Sequence, residues 1–357
     1  MSDTQSIPVA VIGVGRMGNH HARIYHELPG AQLVAVVDHD MDRAEIIADN
    51  YGCDAVPDVA TLLERYPNVQ AVTIAVPTVF HEDIAVELLS HGVACLVEKP
   101  LAQSVKSATR IVEAADAADT LVQVGHTERF NPAVRAVAEM DFMPRFIEVD
   151  RVSPLTFRSI DVGVVFDLMI HDLDIVLMMT KSPLVDVRAS GIGVIGKHED
   201  VANARLEFEN GCVANITASR LALKTERKLR VFSESAYISL DYAKRTGIAI
   251  QRTDNVDALR EVREQVEQGA DLSDLDYMDL VNIRELTIND EEPLRAELSN
   301  FLDAVAGHEK PEVDARAGSA AVDAAERVVT AINEHSWHDL DLMRIGELLT
   351  GTGPDKD

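Results

Sequence analysis

Gly13-Val14-Gly15-Arg16-Met17-Gly18 has the residue types and spacing to hold a diphosphate ester through backbone groups alone. In such a loop the first glycine permits a tight turn and the second lets the backbone approach a pyrophosphate. The third lets the following helix pack closely on the preceding strand. N–H groups of that helix's first turn then face the anion. Asp38 lies 20 residues beyond Gly18, where a carboxylate can accept from a ribose 2′-hydroxyl. Asp38 followed by His39 and Asp40 would repel a 2′-phosphate, so the spacing predicts NAD(H) rather than NADP(H). A glycine turn without a ligand is the alternative, and the Asp38 spacing weighs against it.

Three further groups carry chemistry. Glu98-Lys99-Pro100 follows an apolar run, and a lysine at the carboxyl end of a strand could polarise a hydroxyl or carbonyl and share its proton. A solvated lysine before a turn is the plainer reading of that tripeptide. Asp167 and His171 are four residues apart in an apolar segment, a spacing that places both on one helical face. Asp167 could then hold the imidazole while its other nitrogen takes a proton from an alcohol; a buried structural Asp–His pair is the alternative. His171, Asp172 and Asp174 could also be read as metal ligands, but no convincing partners follow elsewhere, and hydride transfer needs no metal. Arg220, Lys224, Arg227, Lys228 and Arg230 put five cations in eleven residues of an acidic chain. They could clamp a phosphate or carboxylate, or alternation could leave half of them on a solvated sheet face.

The elements that must position these groups can be read from periodicity. Ile7–Gly13, Gln32–Asp38, Ala71–Val76, Val93–Val97 and Leu121–Gly125 are short, nearly all-apolar runs bounded by turn residues. Between them, 16–28, 41–50, 80–91 and 104–118 have helical spacing. This alternation predicts an α/β domain over 1–126, a doubly wound parallel Rossmann sheet covered on both faces. Beyond 126 the pattern changes. A strongly apolar helix is predicted over 163–180, followed by strand-like runs Val201–Phe208, Cys212–Ser219, Lys228–Ser233, Tyr237–Asp241 and Ile248–Arg252. Successive strands without intervening helices predict an α+β domain over 127–357 with a large, mostly antiparallel open sheet. Residues 254–276 read as an acidic surface excursion with a helical stripe, and 294–306 and 316–334 as closing helices.

Composition bounds the possibilities. The 357 residues suffice for two domains, and 26% charged with 46% hydrophobic residues is an ordinary globular balance. The net charge of −27 disfavours nucleic acid as a partner, so an anionic ligand must find a local exception. No apolar run is long enough to span a bilayer, and no basic residue precedes the first apolar run as a secretory signal requires. Cys53, Cys95 and Cys212 fit neither a zinc pattern nor a disulfide framework, which predicts a reducing, cytoplasmic setting without membrane attachment.

The order of these motifs resembles the family of glucose–fructose oxidoreductase, inositol dehydrogenase and MocA. The glycine loop, Pro77-Thr78…His81, Glu98-Lys99-Pro100, Asp167…His171 and Pro293-Leu-Arg-Ala-Glu297-Leu-Ser-Asn-Phe301 occur in the family's sequence and span nearly the whole chain. The resemblance implies an NAD-dependent sugar dehydrogenase in which Gly13, Gly15, Arg16, Met17, Gly18, Asp38, Pro77, Thr78, His81, Glu98 and Lys99 surround the dinucleotide. Lys99, Asp167 and His171 would act at the reacting carbinol, and self-association through the second domain implies a homodimer or homotetramer. Gly125-His-Thr-Glu-Arg-Phe-Asn-Pro132 and Val165-Phe-Asp-Leu-Met-Ile-His-Asp-Leu-Asp174 are similar to the branch that oxidises the 3-hydroxyl of UDP-N-acetylglucosamine. So is Ser219-Arg…Arg227-Lys-Leu-Arg-Val-Phe232. On that branch His126, Arg129, Arg158, Arg220, Lys224 and Arg227 are the expected substrate contacts, and a diphosphate-bearing substrate suits the basic cluster. A free polyol such as an inositol is the alternative substrate. A non-catalytic dinucleotide-binding regulatory sensor is the alternative of another class, and a sensor has no need of Lys99, Asp167 and His171.

Overall fold

The computed structural model describes residues 6–140, 142–156, 161–252, 256–267, 269 and 281–335. They fall into two compact units. The first takes the described residues up to Asn131 together with Glu291–Arg327, and the second takes Pro132–Asp290 and the chain from Val328.

In the first unit, strands and helices alternate as β1 (Ile7–Ile12), α1 (Arg16–Glu27), β2 (Ala31–Val37), α2 (Met41–Tyr51), β3 (Asp54–Val56), α3 (Val59–Arg65), β4 (Ala71–Ile74), α4 (His81–Ser90), β5 (Ala94–Glu98), α5 (Val105–Ala118) and β6 (Val122–Gly125). All pairings in the sheet are parallel, in the order β3-β2-β1-β4-β5-β6. β1, β4 and β5 are so uniformly apolar because helices cover both faces of the sheet, leaving Val9, Val11, Val72, Ile74 and Leu96 fully buried. Strand order reverses between β1 and β4, and at such a point a crevice opens at the carboxyl ends of the strands. β3 and α3 are too short to have shown in the periodicity.

Helix α9 (Pro293–Val305) belongs to this first unit. Its Leu294, Leu298 and Phe301 join Ala22, Ile24 and Tyr25 of α1 in one core, and Arg23 pairs with both Glu27 and Glu292, as Arg295 does with Glu27. The segment leading to α10 (Ala315–Glu334) lies along the edge strand β6, where Val124 N–H donates to the Val313 carbonyl at 2.9 Å. Gly318 sits against Val124, and a Cβ there would come within 2.5 Å of its side chain.

The second unit contains α6 (Pro132–Ala138), β7 (Phe146–Val152), a π-helical turn (Val165–Met169), α7 (Ile170–Thr180), β8 (Leu184–Ile192), β9 (Val201–Phe208), β10 (Val213–Ser219), β11 (Glu226–Phe232), β12 (Ala236–Asp241), β13 (Thr246–Arg252), α8 (Val256–Glu267) and β14 (Val281–Glu285). The eight strands run β14-β13-β12-β11-β7-β10-β9-β8, antiparallel except for β7 with β10. β7 was not anticipated from sequence. It reads Phe-Ile-Glu-Val-Asp-Arg-Val, and every second side chain is buried, yet one of those inward residues is an arginine, which hides the alternation. The acidic excursion forms α8, while 270–280 lie outside the described residues.

Candidate functional site

The glycine loop leaves β1 at the reversal of strand order. Gly13 has φ of +82°, a conformation that favours glycine, and a Cβ there would meet the Ala75 carbonyl oxygen at 2.8 Å. A Cβ on Gly18 would collide with the Gly13 carbonyl, whereas Gly15 has open space beside it. α1 starts with no side-chain cap and no acid in its first turn. Its leading N–H groups therefore remain available to an anion. Met17 and Arg16 are exposed on this turn.

Asp38 is 6% exposed at the end of β2. Its Oδ2 accepts from Val14 N–H at 3.0 Å and its Oδ1 from Asp40 N–H at 3.0 Å, so the carboxylate ties the glycine loop to the second strand. Arg43 reaches Asp38 at 3.4 Å and Asp40 at 2.8 Å. Asp40 also caps α2 by accepting from Arg43 N–H at 3.2 Å. Beside these groups opens a cavity of about 610 Å³ whose lining includes Gly15, Asp38, Arg43, Val59, Pro77 and Phe80. An open second glycine, an uncapped helix start, a carboxylate at the end of β2 and an apolar cavity form one continuous cradle. These residues fit NAD, with the loop for the diphosphate and Asp38 for the ribose hydroxyls.

His81 is almost fully buried at the start of α4. Its Nδ1 lies 3.0 Å from the Pro100 carbonyl and its Nε2 3.0 Å from the Val76 carbonyl. Burial holds its pKa below the ordinary imidazole value, against the contrary pull of those carbonyls. His81 therefore joins the Pro77 loop to the Glu98-Lys99-Pro100 turn, in which the Lys99–Pro100 peptide is cis. Glu98 closes β5 with its carboxylate turned inward, hydrogen-bonded to His21 of α1 at 2.8 Å and to Lys99 N–H at 3.1 Å. Lys99 itself is half-buried at the carboxyl end of the sheet.

In the second unit the predicted helix over 163–180 begins as the π-helical turn that carries Asp167, and His171 lies in the first turn of α7. Such π-helical turns are frequent at functional sites. Both residues are half-buried. Glu199 anchors the entry to this turn, accepting from Val165 N–H at 3.1 Å, and its carboxylate occupies the space that a Cβ on Gly163 would need. The next residue, Asp172, receives a bidentate pair from Arg151 of β7 at 2.6 and 2.9 Å, with both side chains almost completely buried. This clamp fixes α7, and with it His171, to the sheet. Neither Arg151 nor Glu199 gives a signal in the sequence, because each becomes meaningful only through its register or its loop.

The five-cation segment does not stay together. Arg220 is 3% exposed, donating to Asp200 at 2.6 Å and to the Val162 carbonyl at 2.7 Å. Burial opposes ionisation of Asp200, but the N–H groups of Ile195, Val194 and Gly196 with Arg220 hold its carboxyl below the usual range. Lys228 pairs with Glu226, and Arg230 with Glu148, on the sheet face turned away from α7. Lys224 is exposed between β10 and β11. Arg227 lies opposite Arg151 in the β11–β7 register, on the α7 side. His126 and Arg129 are buried after β6, and Arg158 lies outside the described residues. Among the described residues no three His, Cys, Asp or Glu side chains are placed to hold a metal ion.

Residues 7–126 match the model of the oxidoreductase family with an NAD-binding Rossmann fold, and 139–239 match the GFO/IDH/MocA C-terminal domain. The chain is 34% identical to UDP-N-acetylglucosamine 3-dehydrogenase of Acidithiobacillus ferrooxidans over 324 residues, 90% of this chain and 96% of that protein. The solved structure of the Acidithiobacillus enzyme superposes with a TM-score of 0.80 at 31% identity, covering 92% of this chain and 98% of its own. Inositol 2-dehydrogenase of Rubrobacter xylanophilus is also 34% identical, over 209 residues that make up 55% of this chain and 58% of that protein.

Proposed function

The chain belongs to the GFO/IDH/MocA family of NAD-binding oxidoreductases, and from that premise we propose that it oxidises the 3-hydroxyl of UDP-N-acetylglucosamine to a 3-keto nucleotide sugar. The observation that carries the substrate assignment is similarity to a UDP-N-acetylglucosamine 3-dehydrogenase along both units, 96% of that protein's length. The inositol 2-dehydrogenase match reaches only 58% of its protein, which favours the nucleotide sugar over a free polyol.

NAD supplies the hydride acceptor. In this reading His171 takes the hydroxyl proton, Asp167 orients its ring, and Lys99 stabilises the developing alkoxide. Lys224, exposed between β10 and β11, and Arg227, on the α7 side of β11, are the cations of the former cluster assigned to the substrate diphosphate. The sheet face turned away from α7 carries Val213, Phe146, Phe232, Tyr237, Ile250 and Ile283 in one cross-strand row. Phe232 stacks between Phe146 and Tyr237, with ring centroids 5.7 and 4.9 Å apart. An apolar row of this width supports self-association into a homodimer or homotetramer. Cys53, Cys95 and Cys212 are all free thiols, in keeping with a reducing cytoplasm. No helix among the described residues is long and apolar enough to cross a membrane.

The test is the growth of NADH absorbance when purified protein and NAD meet UDP-N-acetylglucosamine, myo-inositol or glucose. Turnover with the UDP-sugar far above the free sugars is expected. Preference for inositol overturns the substrate, and NADH binding with no turnover of any sugar favours the sensor.

A further inference from the structure

We propose that His21 is a positioning residue for Lys99, acting through Glu98, so that the helix carrying the dinucleotide loop also sets the charge state of the lysine. His21 lies on α1, three residues beyond Gly18, and is fully buried. Its Nε2 meets Glu98 Oε1 at 2.8 Å, while its Nδ1 has no hydrogen-bond partner among the described residues. A neutral imidazole protonated on Nε2 satisfies this geometry, donating to an ionised carboxylate. The other carboxylate oxygen accepts from the N–H of Lys99 at 3.1 Å. Gly125, on the adjacent strand β6, leaves the room this carboxylate needs, because a Cβ there would lie 3.2 Å from Glu98 Oε2.

A buried carboxylate is costly unless its oxygens are bonded. Burial works to neutralise Glu98, yet the hydrogen bond from His21, the charge of Lys99 and the Lys99 N–H hold its carboxyl below the usual range. The charged and titratable groups that face Glu98 are His21 from α1, Lys99 beside it and His81 from α4. Of these, His81 is committed to the Val76 and Pro100 carbonyls, and His21 is the side chain seen to hydrogen-bond the Glu98 carboxylate. An ionised Glu98 next to Lys99 in the chain favours the ammonium, the form that can stabilise an alkoxide. Removing the His21 donor should therefore raise the Glu98 pKa and lower that of Lys99.

The catalytic consequence rests on the proposed role of Lys99, so the experiment reads the lysine directly as well. Wild type, His21→Leu, His21→Gln and Glu98→Gln are labelled with acetic anhydride across a pH series without cofactor, and Lys99 acetylation is followed by mass spectrometry. His21→Leu and Glu98→Gln are each expected to label about tenfold faster at mildly alkaline pH, as loss of a close counter-charge predicts. Glutamine at 21 can donate to Glu98 and should restore the wild-type rate. NADH affinity should be unchanged in His21→Leu, while kcat falls and the alkaline limb of its pH profile moves down. Wild-type labelling in both His21→Leu and Glu98→Gln overturns the inference, as does a His21→Gln variant that labels like His21→Leu. If His21→Leu does not fold, as judged by its melting curve, Glu98→Gln and His21→Gln carry the same test. Shifted labelling in a protein that turns over no sugar sinks the substrate reading and leaves this inference standing.

Discussion

Replacing His171 with alanine is expected to leave NADH affinity close to wild type while turnover falls about 10²-fold or more, the range for a lost general base. The imidazole stands in the first turn of α7, next to a residue clamped to the sheet, so its loss should not unseat the helix. Stopped-flow turnover within a few-fold of wild type would remove it from the mechanism. Cofactor choice belongs to the same scale. Asp38 presents a buried carboxylate at the end of β2, and Asp40 holds Arg43 at 2.8 Å. NAD should bind more tightly than NADP. Asp38→Ser with His39→Arg should narrow the gap by removing the repulsion. Asp40→Asn should narrow it too, since asparagine keeps the α2 cap but frees the guanidinium for a 2′-phosphate. Equal dissociation constants for the two cofactors in the wild-type protein would contradict this account.

Two elements carry clamps whose strength can be measured. Asp172→Asn leaves Arg151 buried without its counter-ion beneath α7, and a loss of about 3–5 kcal/mol in urea unfolding is expected. The exposed pair Arg316–Asp116 is the internal contrast, where Asp116→Asn should cost at most about 1 kcal/mol. Similar losses in both would mean that α7 is held by its apolar face alone. The His81 clamp between the Pro77 loop and the Pro100 turn adds a pH signature. Its folded pKa lies below the ordinary 6.5, so on acidification the unfolded chain takes up the proton first. Stability from this group is complete above 6.5 and declines as pH falls from there toward the folded value. The melting temperature should fall between neutral and mildly acidic pH by more in wild type than in His81→Gln. Parallel curves would show that His81 does not contribute.

At the scale of the molecule, the proposed self-association has to be reconciled with charge and with the open sheet. A net charge of −27 opposes self-association at long range, so contact must come from a surface with little charge of its own. The uncharged row from Val213 through Phe232 to Ile283 offers such a contact, on a face where Lys228 is paired with Glu226 and Arg230 with Glu148. Phe232→Asp, placed in the middle of it, should shift the mass measured by light scattering to that of the 39.0 kDa chain. A wild-type protein that is already monomeric would refute the interface. Lys224 and Arg227, proposed above for the substrate diphosphate, belong to this scale as local exceptions to the acidic field. Replacing both with alanine should raise KM for the UDP-sugar far more than it lowers kcat, because the phosphates lie away from the reacting carbon. A change confined to kcat would place these cations elsewhere.

By itself the sequence determined the parallel sheet of the first unit and the glycine loop with Asp38, and it singled out Lys99, Asp167 and His171 as candidates by residue type and spacing. These follow from local rules: apolar runs closed by turn residues, a backbone that only glycine permits, and fixed spacings along one element. Five of the six strands of the first unit and the five runs from Val201 to Arg252 were legible for that reason. Tertiary structure decided what depends on which strands become neighbours. The Arg220–Asp200 pair, Lys228 and Arg230 on the far face, and Arg227 opposite Arg151 came from cross-strand register, which dissolved a basic cluster that is contiguous only along the chain. The Arg151–Asp172 clamp and the His21–Glu98 contact join residues 21 and 77 positions apart. No periodicity encodes such pairs, because a charged side chain is driven to find its partner only when folding removes the water around it.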